Sequence, residues 1–245
     1  MKADPSRQAS LLELQDLDTT LTRLAHRAKS LPEHAEIASL TTTLEDLDSQ
    51  VVRASTERDD LHREVRKADN AVQLVRDRAE RDRQRLTAGS GSAKDLQGLQ
   101  HELESLARRQ AVLEDAELEV MERTEAAESA AQYAQEQHAQ AEQRHSELQS
   151  RRERLLADIE AERSEVQAGR QQVVEAVGAD LVALYERIRA HSGTAAAPLV
   201  RRSCGGCNME LGGVDLARIA GADDDEVLRC EECGRILVRT AESGV

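Results

Sequence analysis

The sequence predicts a mainly α protein, a long antiparallel helical hairpin with a small cysteine-clasped module at its C-terminus. Three observations carry this: apolar residues recur on alternating steps of three and four along most of the chain, a short glycine- and serine-rich break divides that pattern, and four cysteines form two C-x-x-C pairs in the last fifth. Composition agrees. A third of the 245 residues are charged, Trp and Phe are absent, and Tyr133 and Tyr185 are the only aromatic side chains. Aromatic residues supply much of an ordinary core's buried area, so Leu, Val, Ile and Ala must bury what is buried here, which suits a thin helical seam.

Taking the elements in order, Asp4 is a candidate N-cap with Pro5 in the first turn, and Leu11, Leu14, Leu17, Leu21 and Leu24 fall on one face of the first helix. Pro32 lacks an amide and clashes with the preceding turn, so the helix breaks near 31–32; Ser30 and Glu33 have capping-box spacing for a restart. From Ile37 the pattern is strict, through Leu40, Leu44, Leu47, Val51, Ala54, Leu61, Val65, Ala68, Val72, Val75, Ala79 and Leu86, interrupted by Arg58 and Asp82. A sustained 3.5-residue repeat predicts a left-handed coiled coil, and at 1.5 Å per residue this stretch spans roughly 75 Å.

Thr87 to Ser92, rich in Gly and Ser, marks a reversal near 87–93. A second helix resumes near Ser92 or Ala93 with one heptad line through Leu99, Leu106, Leu113, Val120, Ala127, Ala134, Ala141, Leu148 and Leu155. Its companion line is more polar: Leu96 and Leu103, then Gln110, Glu117, Thr124, Ala131, His138, His145 and Arg152, then Ile159 and Val166. Two long helices joined by a short loop lie antiparallel, which sets Pro32 opposite the region of Ser150. The alanine-rich stretch from Thr124 to Ala141 predicts a narrow, flexible middle, because Ala buries little area. His138 and His145, seven apart on the seam, read as a polar layer that fixes register. The helical pattern continues through Val173, Val177, Leu181, Leu184 and Ile188 toward Gly193. This places a coiled-coil hairpin over 1–193 and a second module over 198–245, introduced by Pro198.

In that module Cys204-x2-Cys207 and Cys230-x2-Cys233, with 22 residues between the pairs, have the spacing with which four thiolates close tetrahedrally on one zinc ion. Iron would use the same ligands; ligand type and spacing favour zinc. No βαβ pattern surrounds either pair, as a thioredoxin-like site requires, and the N-terminus has no secretory pattern that would favour disulfides. With four sulfur ligands no position is open to substrate, so the site reads as structural. Gly205, Gly206 and Gly234 are placed to turn the knuckles, Leu199–Arg202 and Ile236–Arg239 read as short strands, and Asp215 is a candidate cap for a short helix through Leu216 and Ile219, stopped by Gly221. A module of about 45 residues buries too little area to hold itself, and structural zinc contributes roughly 10 to 16 kcal/mol in comparable sites. The predicted fold class is therefore a long antiparallel coiled-coil helical hairpin with a small C-terminal zinc ribbon.

The residues Cys204-Gly-Gly-Cys207, Cys230-Glu-Glu-Cys233-Gly-Arg-Ile-Leu, Leu-Tyr-Glu-Arg-Ile at 184–188 and Lys94-Asp-Leu-Gln-Gly-Leu-Gln-His-Glu resemble the bacterial family with a coiled-coil hairpin followed by a four-cysteine zinc ribbon. The resemblance covers nearly the whole chain. Asp95 stands where the family usually has Glu, and Val238 where the ribbon commonly has Tyr. What the resemblance implies is a non-enzymatic adaptor; members are variously linked to RNA binding, an alternative sigma factor, and flagellar or type III secretion components.

A formal charge of −14 opposes general attraction to nucleic acid or anionic membrane. No apolar run approaches a membrane span, and a cytoplasmic protein is expected. Two basic groups stand out: Arg76, Arg78, Arg81, Arg83, Arg85 and Lys94 near the tip, and Arg201, Arg202, Arg218, Arg229, Arg235 and Arg239 in the ribbon. Either could meet phosphates or an acidic partner. Interleaved Asp77, Glu80 and Asp82 favour a solvated face laced with ion pairs at the tip, and the acidic run Asp223–Glu226 reads as a solvated loop. The leading functional reading is an interaction protein without catalytic activity; the runner-up binds RNA or DNA through these arginines. Partner identity and oligomeric state are not written in the pattern.

Overall fold

The computed structural model describes residues 1–89 and 91–244. In chain order the elements are α1 (Pro5–Lys29), α2 (Pro32–Thr87), α3 (Ala93–Val177), α4 (Ala179–Ser192), β1 (Ala196–Val200), β2 (Ser203–Cys204), α5 (Gly213–Gly221), β3 (Leu228–Arg229) and β4 (Ile236–Val238). Asp4 caps α1 as expected, accepting from the Ser6 amide at 2.8 Å with Pro5 at the first helical position. Two compact units result: Ala35–Ser150, and Met1–His34 together with the chain from Arg151 onward.

Within Ala35–Ser150, α2 and α3 pair antiparallel. Thr41 meets His145 at 3.3 Å, Glu64 meets Arg123 at 3.7 Å, and Arg76 meets Glu114 at 2.6 Å, an antiparallel succession along the pair. Every predicted seam position of α2 from Ile37 to Leu86 is buried or half-buried, including the two interruptions. Asp82 is buried and its carboxylate lies 3.7 Å from Arg85, while the half-buried Arg58 turns its guanidinium onto Asp59. On α3 between Ala93 and Ser150 the buried residues are the small ones, Thr124, Ala127, Ala131 and Ala134, since a short side chain on the seam leaves little to expose. His145 crosses to Thr41, as a register contact should, whereas His138 faces Glu142 on its own helix at 3.6 Å.

Of the turn placed near 87–93, Ser90 lies outside the described residues. Gly89 and Gly91 take φ of 61° and 144°, conformations that side chains oppose. Ser92 and Asp95 form a reciprocal cap at the start of α3. The Asp95 carboxylate accepts from the Ser92 amide at 2.9 Å, and the Ser92 hydroxyl accepts from the Asp95 amide at 3.3 Å. The Ser92 hydroxyl also holds the Asp95 carboxyl below its usual range.

The second unit joins helices and ribbon in one core. β1 and β4 pair in parallel, Ala196 with Ile236 and Pro198 with Val238, and the sheet runs β2-β1-β4-β3. Both faces are covered. Ala196, Ile236 and Val238 pack with Leu11, Leu14, Val173, Val177, Leu181 and Tyr185 of α1, α3 and α4, while the alternate residues Ala197, Leu199 and Leu237 pack with Leu216, Ile219 and the cysteines. The compact units divide at the helix break, so the ribbon and the helices around it fall in one unit. Around that break, Leu24 and Leu31 pack with Ile159, and Glu33 meets Arg151 at 2.9 Å, close to the register that the helix lengths imply. Glu33 is thereby drawn away from Ser30, whose amide donates to His26, so the expected capping box does not form.

The expected single helix from α3 through Ile188 is divided at Gly178, which takes a φ of 85°. Arg7 fills the gap: its Nε donates to the freed Val177 carbonyl at 2.7 Å and its guanidinium also pairs with Asp180. A Cβ on Gly178 would lie 2.5 Å from Arg7 Nη2.

Beneath this break lies a buried polar cluster. Asp18 is 1% exposed and accepts from Arg170 Nε at 2.7 Å and from the Tyr185 hydroxyl at 2.8 Å, with Arg189 at 3.1 Å. Glu186 closes the cluster on Arg170 and Arg189. Burial, then the Asp18 carboxylate, push the Tyr185 hydroxyl well above its usual pKa, and the Asp18 hydrogen bond raises Arg170. Gln15 extends the cluster to the sheet, its Oε1 accepting from the Ala195 amide at 2.7 Å and the Ala196 amide at 3.3 Å.

Removing one member of a buried charged cluster leaves the others unpaired. Asp18→Ala is expected to cost about 3 to 5 kcal/mol and Tyr185→Phe about 1 to 2 kcal/mol in urea unfolding, with D18A shifting the transition of the ribbon-containing unit.

Candidate metal centre

Two knuckles of the same construction bring the cysteines together. In the first, the Cys204 amide donates to Met209 O at 3.0 Å and the Asn208 amide to Cys204 O at 2.8 Å; in the second, the Cys230 amide donates to Arg235 O at 2.9 Å and the Gly234 amide to Cys230 O at 2.8 Å. The residue four after the leading cysteine is left-handed in both, Asn208 at φ 61° and Gly234 at φ 71°. The sequence reading placed Gly205 and Gly206 in this role together with Gly234. The two first-knuckle glycines are needed for room instead: a Cβ on Gly205 would lie 3.0 Å from Pro198 O, and one on Gly206 would lie 2.9 Å from Ala197 Cβ. Asn208, which tolerates the left-handed region, was the readable signal.

The four sulfurs lie within 4.8 Å of one another. Sγ of Cys204 is 3.8 Å from that of Cys233, and Sγ of Cys207 is 3.9 Å from that of Cys230. A tetrahedron of Zn–S bonds of about 2.3 Å has edges of about 3.8 Å, so the cluster has the dimensions of a four-thiolate zinc site. The Gly206 amide donates to Cys204 Sγ at 3.4 Å. Cys204, Cys207, Cys230 and Cys233 together are able to hold one zinc ion.

The leading cysteine of each knuckle is buried and the trailing one half-buried. Burial raises the Cys204 thiol and pushes Cys230 up to about 12. At Cys233 burial acts the same way, but the Arg235 amide and side chain, with the neighbouring thiols, outweigh it and bring the group down to about 7. Protons therefore compete with zinc for the buried pair at neutral pH, and metal binding must displace them.

The expected cap at Asp215 is not made. Gly212 is the N-cap of α5 with no side-chain bond, and Asp215 sits within the first turn, 4.0 Å from Arg218, which reaches Glu231 at 3.0 Å. The acidic run is anchored rather than free. The Ala3 amide donates to Asp225 O at 2.7 Å, the Val227 amide to Met1 O at 3.0 Å, and Lys2 pairs with Asp223 at 2.9 Å and Asp225 at 3.0 Å.

The basic candidates are dispersed. Arg76 and Arg78 pair with Glu114 and Glu102, and Arg83 and Arg85 with Glu80 and Asp82; Arg81 and Lys94 are exposed and make no ion pair among the described residues. In the ribbon, Arg239 reaches Asp223 O at 2.7 Å and Arg235 the Thr194 hydroxyl at 2.9 Å. Arg201 and Arg202 form the two-residue turn between β1 and β2, both left-handed at φ 48° and 67°, their amides donating to Glu242 and Ser243 carbonyls. Such a turn prefers Asn-Gly.

Replacing Arg201-Arg202 by Asn-Gly is expected to stabilise the protein by about 1 to 2 kcal/mol in chemical unfolding with zinc content unchanged. Cys230→Ser is expected to abolish stoichiometric zinc measured by atomic emission. Chelation of the unmodified protein should raise amide exchange in the ribbon and in α1 and α4 while leaving 35–150 protected, because only the former share a core with the sheet.

Comparison with known proteins places this architecture. A family model for the CT398-like coiled coil hairpin domain matches residues 14–193, and one for the C4-type zinc ribbon domain matches 203–237; neither describes a catalytic domain. An uncharacterized Mycobacterium tuberculosis protein is 41% identical over 240 residues, covering 98% of each chain, and one from Mycobacterium leprae is 30% identical over 225 residues, covering 91% of this chain and 96% of that one. A solved structure from Mycobacterium smegmatis has a TM-score of 0.80 at 38% identity, covering 98% of this chain and 100% of that one. CT398 from Chlamydia trachomatis shares the fold, with a TM-score of 0.60 at 20% identity over 96% of this chain and 98% of that one. No helix among the described residues is long and apolar enough to cross a membrane. With its hairpin, its ribbon and its four-sulfur cluster all in place, the chain belongs to the CT398-like coiled-coil hairpin family and carries a C4-type zinc ribbon.

Proposed function

We propose that the protein is a non-enzymatic adaptor that uses its coiled-coil hairpin and zinc ribbon to bind protein partners. The observation that carries this reading is the coordination chemistry. The one cluster of metal-binding groups among the described residues supplies four sulfurs to one centre and leaves no position for a reacting molecule, so the metal serves to fix a surface. Large apolar side chains outside the seam support it: Leu74 is 70% exposed, and Val52, Val112, Leu118 and Tyr133 are also exposed along the hairpin. Apolar side chains offer a protein partner contact area and offer phosphates none. Four reduced cysteines accord with a cytoplasmic setting.

Nucleic-acid binding is the second reading. Arg81 and Lys94, exposed and without acidic partners among the described residues, are the groups that favour it.

Photo-crosslinking residues at Leu74, Val112 and Tyr133 are expected to trap a discrete protein from the native cytoplasm. Crosslinks to RNA alone, with an affinity that falls steeply and log-linearly with salt and a slope reduced by Arg81→Gln and Lys94→Gln, would instead establish the second reading.

A further inference from the structure

A cleft of about 300 Å³ lies between α4 and the second cysteine knuckle. One stripe of α4 forms its helical wall: Leu184, Arg187, Ile188 and His191, at the i, i+3, i+4 and i+7 spacing of a single helix face. Arg229 of β3, with Cys233 and Gly234 of the knuckle, forms the opposite wall. Arg229 is held in place there, its Nε donating to Gly234 O at 2.9 Å and its Nη2 lying over the Gly234 backbone.

The cleft is basic in an acidic chain, as is the one lined by Arg23 and His26 beside Gly193. No carboxylate lines it, in a chain with 47 acidic and 33 basic residues. The clefts of the hairpin differ: Glu36 lines one, Asp60 and Glu64 another, Asp95 and Glu102 the one at the tip. Glu186, the neighbouring acid on α4, is occupied by Arg170 and Arg189, and Arg187 is exposed with no ion pair among the described residues. At the end of α4, nearest the cleft, the side chains and cap turn toward the helix carbonyls. The Gly193 amide donates to Arg189 O at 2.8 Å, the Ser192 hydroxyl to Ile188 O at 3.0 Å, and His191 Nδ1 lies 2.8 Å from Arg187 O.

We propose that this cleft docks an acidic peptide segment of a protein partner, a carboxylate held between Arg187 and Arg229 and an adjacent apolar side chain laid against Leu184 and Ile188. The proposal rests on the adaptor reading and gives it a location and a ligand chemistry. Two guanidiniums on one cleft, with no carboxylate among its lining residues and the nearby Glu231 held by Arg218, suit a carboxylate by charge and hydrogen-bonding chemistry. The apolar wall of Leu184 and Ile188 suits a peptide side chain, neither tyrosine lines the cleft, and the one ring that does, His191, has its Nδ1 2.8 Å from Arg187 O. Because one wall is the knuckle itself, the cleft exists only while the four sulfurs are gathered.

The test uses the full-length zinc-loaded protein and the anisotropy of a fluorescein-labelled peptide of repeating Glu-Glu-Leu, with a Lys-Lys-Leu peptide and a short oligouridylate as comparisons. The acidic peptide is expected to bind, and Arg187→Glu and Arg229→Gln are each expected to weaken it about tenfold or more. Arg108→Glu, an exposed change of the same charge on α3, is expected to leave it unchanged. Zinc content and helicity of R187E identify a folded variant. Absence of peptide binding, equal loss in R108E, or binding of oligouridylate that R187E abolishes would each overturn the proposal. So would recovery of the same crosslinked protein by wild type and R187E, which leaves the adaptor reading standing; no crosslinked protein from wild type sinks that reading as well.

Discussion

A sheet whose strands are two to five residues long cannot bury enough on one face to persist, and here the alternation of side chains along β1 and β4 is used on both. Ala196, Ile236 and Val238 point into a core built by three helices; Ala197, Leu199 and Leu237 point into the core that surrounds the cysteines. A one-residue slip of either strand would exchange the two sets. Gln15 opposes such a slip, because its side-chain oxygen receives two consecutive amides at the start of β1 from a fixed place on α1. The geometry of the metal site thus depends on helices far from it in sequence.

What sets those helices is the Asp18 cluster. Charges taken from water lose about as much solvation as they regain by pairing, so such a cluster adds little to stability over an apolar packing. Its effect is directional. Arg170 from α3, and Tyr185 and Arg189 from α4, must converge on one carboxylate of α1, which leaves few ways to dock the three. The break at Gly178 is what lets α4 leave the line of α3 to reach it, and Arg7 satisfies the carbonyl that the break exposes.

Much of this was legible in the sequence and some was not, for identifiable reasons. The seam from Ile37 to Leu86, the break before Pro32, the tip and the four ligands follow from periodicity, propensity and spacing, which are local properties. The Asp18 cluster joins residues about 150 to 170 positions apart, and such pairing leaves no local trace. A partial signal did exist: Asp18 stands seven after Leu11 and four after Leu14, on the buried face of α1, where a carboxylate needs a partner. Gly178 also carried one, as the glycine that follows the apolar pair Val173 and Val177. At the knuckles the glycines were read for conformation, yet Asn208 has the left-handed backbone and Gly205 is there because β1 passes too close for a side chain.

The hairpin from Ala35 to Ser150 is held on a different principle. Its α3 seam carries Gln110, Glu117, Thr124, His138 and His145 where Leu or Ile would bury far more, so each heptad there contributes little apolar burial. Cross-hairpin pairs such as Arg76–Glu114 and Glu64–Arg123 are exposed, and pairs of that kind contribute at most about 1 kcal/mol each. Many small, local contributions add along its length without any one deciding the outcome. Closure at the turn then matters more than any one layer, and a reciprocal Ser92–Asp95 cap supplies it.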